Sequence, residues 1–66
     1  MPRVDGEKLA GLREDRFLSH RELAKLAGVS PQTVLNLEHG ETEAQRRTVR
    51  KLAEALGVHP RELLED

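Results

Sequence analysis

The chain has 66 residues, with 11 Lys and Arg against 12 Asp and Glu, a net charge of −1, and Phe17 as its one aromatic side chain. A chain this short is expected to form one domain, 1–66, near the size at which a single apolar core barely suffices. With no cysteine, it has no disulfide framework, thiol nucleophile or cysteine-based zinc site.

Four of five expected helix starts carry concordant local signals, the fourth helix being the exception. Asp5 is an N-cap flanked by Val4 and Leu9 at hydrophobic-staple spacing, which predicts a helix over 6–15. Ser19 and Glu22 form a capping box, with Leu18 and Leu23 as the staple, ahead of a helix over 20–27. Ser30 caps a third helix over 31–38, Pro31 suits its first turn, and Val29 can staple to Val34. Thr42 and Gln45 have capping-box spacing for a fourth helix over 45–56, a later start being the alternative. Its apolar stripe is Val49, Leu52, Ala53 and Leu56. His59-Pro60 opens a last helix over 60–65, with Val58 and Leu63 at staple spacing. Gly28, Gly40 and Gly57 stand where helices should end. The expected fold is therefore an all-α, compact five-helix bundle. Its expected core is Leu9, Leu12, Leu18, Leu23, Ala24, Ala27, Val29, Val34, Leu37, Val49, Leu52, Ala53, Leu56, Val58 and Leu63.

The segment HRELAKLAGVSPQTVLNLEH, residues 20–39, says most about function. It encodes two short helices joined by a tight turn at Gly28, with small Ala24 and Gly28 where the helices must cross closely. A pair of this kind can lay its second helix into the major groove of DNA. Net charge argues the other way, because nucleic-acid-binding domains are usually basic. Distribution softens the objection. Arg46, Arg47, Arg50 and Lys51 cluster with no acid among them, while Glu62, Glu65 and Asp66 gather at the C-terminus. By charge alone the cluster is an ordinary solvated helix face.

From about Glu7 to Leu64 the chain resembles the phage repressor/Cro-type helix-turn-helix family. The resemblance is carried by LSHRELAKLAGVSPQTVLNLEHG and TVRKLAEALGV. It implies a lambda-repressor-like domain with the helix-turn-helix in helices 2 and 3, and sequence-specific binding of double-stranded DNA by a transcriptional regulator. The third helix of that family reads bases, a role the resemblance carries to Gln32, Thr33 and Asn36. Gln32 and Asn36 are four residues apart on the face opposite Val34 and Leu37, and each amide can pair bidentately with adenine. Leu35 projects toward the same side and can either pack on a thymine methyl or serve a protein partner. Pro31 stands where many relatives carry a polar base-contacting side chain, which implies one fewer such contact.

Candidate phosphate or minor-groove contacts are His20, Ser30, His39, Arg46, Arg47 and Arg50. Relatives also pair an arginine on the first helix with a glutamate ending the reading helix. Arg13 and Glu38 stand at the matching places, as a structural salt bridge. Phe17 stands where relatives often end the first helix with glycine. Positive φ is costly for a bulky residue, so either that turn differs or Phe17 covers the helix end.

The three histidines lie in different helices or loops without His-x₃₋₅-His spacing, so no metal site and no cofactor are expected. The chain has no catalytic triad arrangement and no glycine-rich phosphate loop, so an enzyme is not expected. No apolar run approaches the length of a bilayer span, and the first residues lack a signal-peptide core, which leads to an expected bacterial-type cytoplasmic location. The expected partner is a near-palindromic operator bound by a weak homodimer through the C-terminal helix, around Leu63 and Leu64. A protein-interaction module, such as an antitoxin or a transcriptional bridging factor, is the rival reading. A chain of this length has no room for a sensor domain, so control is expected from abundance, a partner or dimerisation.

Overall fold

A computed structural model describes all residues, 1–66. The elements are α1 (Gly6–Asp15), α2 (His20–Ala27), α3 (Pro31–Glu38), α4 (Arg46–Leu56) and a closing 3₁₀ turn, Pro60–Leu63. Their starts follow the capping chemistry. The Asp5 carboxylate accepts from the Glu7 and Lys8 amides. Ser19 Oγ accepts from the Glu22 amide at 3.0 Å, while Glu22 Oε1 accepts from the Ser19 amide at 2.8 Å. Ser30 Oγ accepts from the Thr33 amide at 3.1 Å. Gly28 takes φ +75°, the left-handed conformation that lets α2 stop and α3 cross it.

Two expectations fail, for one reason. The chain forms four α-helices rather than five, because the last element closes as a 3₁₀ turn at Leu63 instead of running to 65. Leu64 is extended and forms an antiparallel bridge with Val4, and the Glu65 amide donates to the Arg3 carbonyl at 2.9 Å. The same N-terminal strand pairs on its other side, where Arg3 bridges Glu43 and the Val4 amide donates to the Thr42 carbonyl at 2.6 Å. Thr42 is thereby held in an extended segment, so its capping box with Gln45 does not form. The fourth helix starts at Arg46 with no side-chain cap.

The core differs from its expected membership accordingly. Val4 and Ala44 are buried, both placed there by the bridging N-terminal strand. Leu12, Leu18, Val29 and Val58 only pack against the core's edge. The remaining expected core residues are buried around Leu9, Leu23, Val34, Leu52 and Leu63, none of which exposes any surface.

At Phe17 neither expected alternative holds. It takes φ +54°, the backbone state that glycine would supply, and its ring is 92% exposed rather than covering the core. A left-handed non-glycine residue costs about 1–2 kcal/mol, partly offset by the backbone entropy that glycine loses on folding. Phe17→Gly is therefore expected to stabilise the domain by roughly 0.5–1 kcal/mol. A melting temperature no higher than that of the parent would contradict this.

Candidate nucleic-acid interface

The α2–α3 pair presents its outer face through side chains that capping and core burial leave free. Val34 and Leu37 point inward, while Gln32, Leu35 and Asn36 are exposed. The amides of Gln32 and Asn36 meet, with Gln32 Nε2 donating to Asn36 Oδ1 at 2.8 Å. Gln32 Oε1 and the Asn36 NH₂ group remain free to face outward as an acceptor and a donor. Thr33 is half-buried, and its Oγ1 lies 2.9 Å from Ser30 Oγ, so the Ser30 hydroxyl serves the helix start before anything else.

Two hollows flank α3. A groove lined by Ser19, His20, Arg21, Pro31, Gln32 and Leu35 runs beside the start of α2. On the other side, a cleft of about 100 Å³ brings Thr33 and Asn36 against Glu41, Glu43 and Thr48. Sequence reading missed these last three, because Glu41 and Glu43 reach α3 through the loop that the N-terminal segment holds in place and Thr48 reaches it from α4. Glu41 and Glu43 put negative charge beside α3.

The arginine cluster divides. Arg46 and Arg50 line a groove with Pro2, Val49, Pro60 and Leu64, on the side of α4 away from Thr48 and α3. At 100° per residue, Arg47 falls on the solvent face between Arg46 and Thr48. All three arginines are exposed.

Behind its exposed face, α3 is bolted to α1. Arg13 Nε donates to Glu38 Oε2 at 2.7 Å, and Nη2 donates to Oε1 at 3.1 Å. Nη1 donates to the Leu18 carbonyl at 2.7 Å, so one guanidinium ties together α1, the α1–α2 connection and α3. The side chains of Arg13 and Glu38 are 10% and 4% exposed. Burial alone would push the Glu38 carboxyl up, but the hydrogen bonds from Arg13 and then His20 outweigh it and hold the pKa below its ordinary value. The Arg13 pKa is raised, first by its hydrogen bond to Glu38 and against the opposing effect of burial.

His20 Nε2 stands 3.0 Å from Glu38 Oε1. With Glu38 ionised, that ring nitrogen is the donor, so this edge of His20 is turned inward. His39 caps α3 and lies beside His20, with ring centroids 6.4 Å apart. The fold thus brings together two of the three histidines that the sequence keeps apart. A second arginine, also unforeseen, stitches helix ends: Arg16 donates to the Leu56 carbonyl from Nε and to the Leu12 carbonyl from Nη1, both at 2.8 Å.

Four helices with a glycine turn between α2 and α3, and an exposed polar face on α3, define a helix-turn-helix unit. Residues 9–63 match the helix-turn-helix family, and the chain belongs to it. It is 41% identical over 54 residues to the HTH-type transcriptional repressor RghR of Bacillus subtilis, covering 80% of this chain and 40% of that protein. The chain thus spans about two fifths of that relative's length. Among solved structures, the restriction-modification controller protein C.AhdI from Aeromonas hydrophila superposes with a TM-score of 0.83 at 37% identity, over 89% of each chain. The P22 c2 repressor in complex with a synthetic operator gives 0.83 at 30% identity, over 91% of each chain. The fold also forms 14% of the Streptomyces albus HEPD chain, matching 97% of this one with a TM-score of 0.85 at 34% identity.

Proposed function

We propose that this chain binds double-stranded DNA sequence-specifically, as a transcriptional regulator, with α3 in the major groove. The observation that carries this reading is the exposed Gln32–Asn36 amide pair on a helix anchored from behind by a buried ion pair. The pair offers an acceptor and a donor on a fixed scaffold, the pattern that complements the N6 and N7 edge of adenine. Leu35 adds an apolar contact suited to a thymine methyl. Phosphate contacts come from Arg47, His39 and the side of His20 turned away from Glu38, and they position the domain without specifying sequence. Chemistry on a bound substrate is not part of this reading, since its work is done by exposed amides on a convex surface.

Two copies related by a twofold axis would present their α3 helices about 34 Å apart on a near-palindromic operator. The groove of Pro2, Val49, Pro60 and Leu64 is the surface a second copy would cover, with Arg46 and Arg50 at its rim. One observation favours a protein partner as a second reading. Phe17 and Leu26 are 92% and 63% exposed, and neither lies among the side chains assigned to base reading.

Selection from random duplexes, followed by affinity measurements at two salt concentrations, tests the proposal. Gln32→Ala is expected to weaken binding to the selected site by tenfold or more and to relax base preference, at about 1–3 kcal/mol per lost bidentate contact. Arg47→Ala is expected to weaken all duplexes alike and to reduce the salt slope by about one. A chain that prefers no duplex at low salt would overturn the reading.

A further inference from the structure

The three histidines are widely spaced in sequence, yet His20 and His39 come to lie on either side of Glu38. One ligand atom from each of His20, Glu38 and His39 lies within 4.8 Å of the other two. Zinc bonds of about 2.0–2.1 Å in tetrahedral geometry place neighbouring ligand atoms about 3.3 Å apart. The His20 Nε2 to Glu38 Oε1 distance of 3.0 Å already approaches that spacing. His39 is exposed, so a side-chain rotation that moves its ligand nitrogen by about 1.5 Å brings it to that spacing without moving the backbone.

We propose that His20, Glu38 and His39 form a three-ligand site for a divalent transition-metal ion, zinc above all, with water in the fourth position. The donor set selects the metal class, because imidazole favours zinc, copper and nickel over magnesium or calcium, which take oxygen ligands. The ion takes the place of the proton that His20 Nε2 now donates to Glu38; in the neutral ring that proton moves to Nδ1, which frees the Nε2 lone pair for the metal. Arg13 acts on the site in two ways. It holds both carboxylate oxygens, Oε2 from Nε and the ligand atom Oε1 from Nη2, which fixes the carboxylate plane and makes the ion share Oε1 with the guanidinium. Its charge also repels the cation, so the site is a weak one rather than a permanent structural centre. A bound ion ties the start of α2 to the end of α3, the two ends that Glu38 already joins.

The test uses zinc chloride and the full chain, with no DNA, so its failure leaves the DNA-binding proposal untouched. With free zinc at about 100 times its Kd, the melting temperature is expected to rise by roughly 10 °C or more and to return on adding a chelator. His39→Gln and His20→Gln should each lose that rise, while His59→Gln, altered at an exposed histidine elsewhere, should keep it. Cobalt should give tetrahedral visible absorption in the parent and not in His39→Gln. No rise in the parent, a rise that survives in His39→Gln, or one that vanishes in His59→Gln would each overturn the site.

Discussion

Replacing Glu38 with alanine is expected to lower stability by about 3–5 kcal/mol. The charge lost is not the main cost. Arg13 stays behind with a side chain 10% exposed and with two of its three hydrogen-bonded nitrogens emptied at once, Nε and Nη2. Glu14 Oε2, 3.6 Å from Nη2 on an exposed side chain, is then its one remaining ion-pair partner, so the guanidinium must either draw in water or pull the α1–α3 contact apart. For a domain this small each kcal/mol is worth about 4–8 °C, so thermal unfolding followed by far-UV circular dichroism should show a fall of about 12 °C or more. Glu38→Gln, which keeps an acceptor but not the charge, should fall between. Arg13→Met combined with Glu38→Leu should regain much of the loss, because the pair removed together leaves no buried charge. Equal melting temperatures for Glu38→Ala and the parent would sink the argument.

Gly6→Ala is expected to destabilise by about 1–3 kcal/mol, although alanine is the better helix former by about 1 kcal/mol. A Cβ at this position would sit 2.6 Å from the Leu37 carbonyl oxygen and 2.8 Å from that of Glu38. Both neighbours are backbone at the end of α3, so relief requires the two helices to separate. The same displacement would move the Glu38 carboxylate away from Arg13. Gly11→Ala is the matched control within the same helix, since an added Cβ there meets nothing within 4 Å. It should stabilise by up to about 1 kcal/mol. Denaturant titrations of the two variants should therefore move in opposite directions, and a shared direction would refute the close approach of α1 to α3.

Those two positions also mark how far reading the chain could go. Arg13 and Glu38 are legible as a pair only through the family's arrangement, for nothing in their 25-residue separation brings them together. Gly6 carries no local signal at all, because its role depends on which carbonyls arrive from α3. The same holds for His20 and His39, whose sequence spacing argues against a shared site while the crossing of α2 and α3 brings the rings within 6.4 Å. Arg46 and Arg50 belong to one run of charge in the sequence. In the fold they turn toward Leu64, while Thr48 turns toward α3.

What the linear chain settled were features set within four or five residues. Asp5, Ser19 and Ser30 determine where α1, α2 and α3 begin, and the exposed i, i+4 relation of Gln32 and Asn36 follows from helical pitch alone. Tertiary structure decided whatever depends on partners distant in sequence. The extended segment at Arg3–Val4 pairs with residues about 40 and 60 positions away, shortens the last helix to a 3₁₀ turn, buries Val4 and Ala44, and swings Glu41 and Glu43 beside α3. Capping and periodicity are short-range hydrogen-bond and burial preferences written into neighbouring side chains. Backbone pairing between chain ends is indifferent to side-chain identity, so it leaves no comparable mark in the letters.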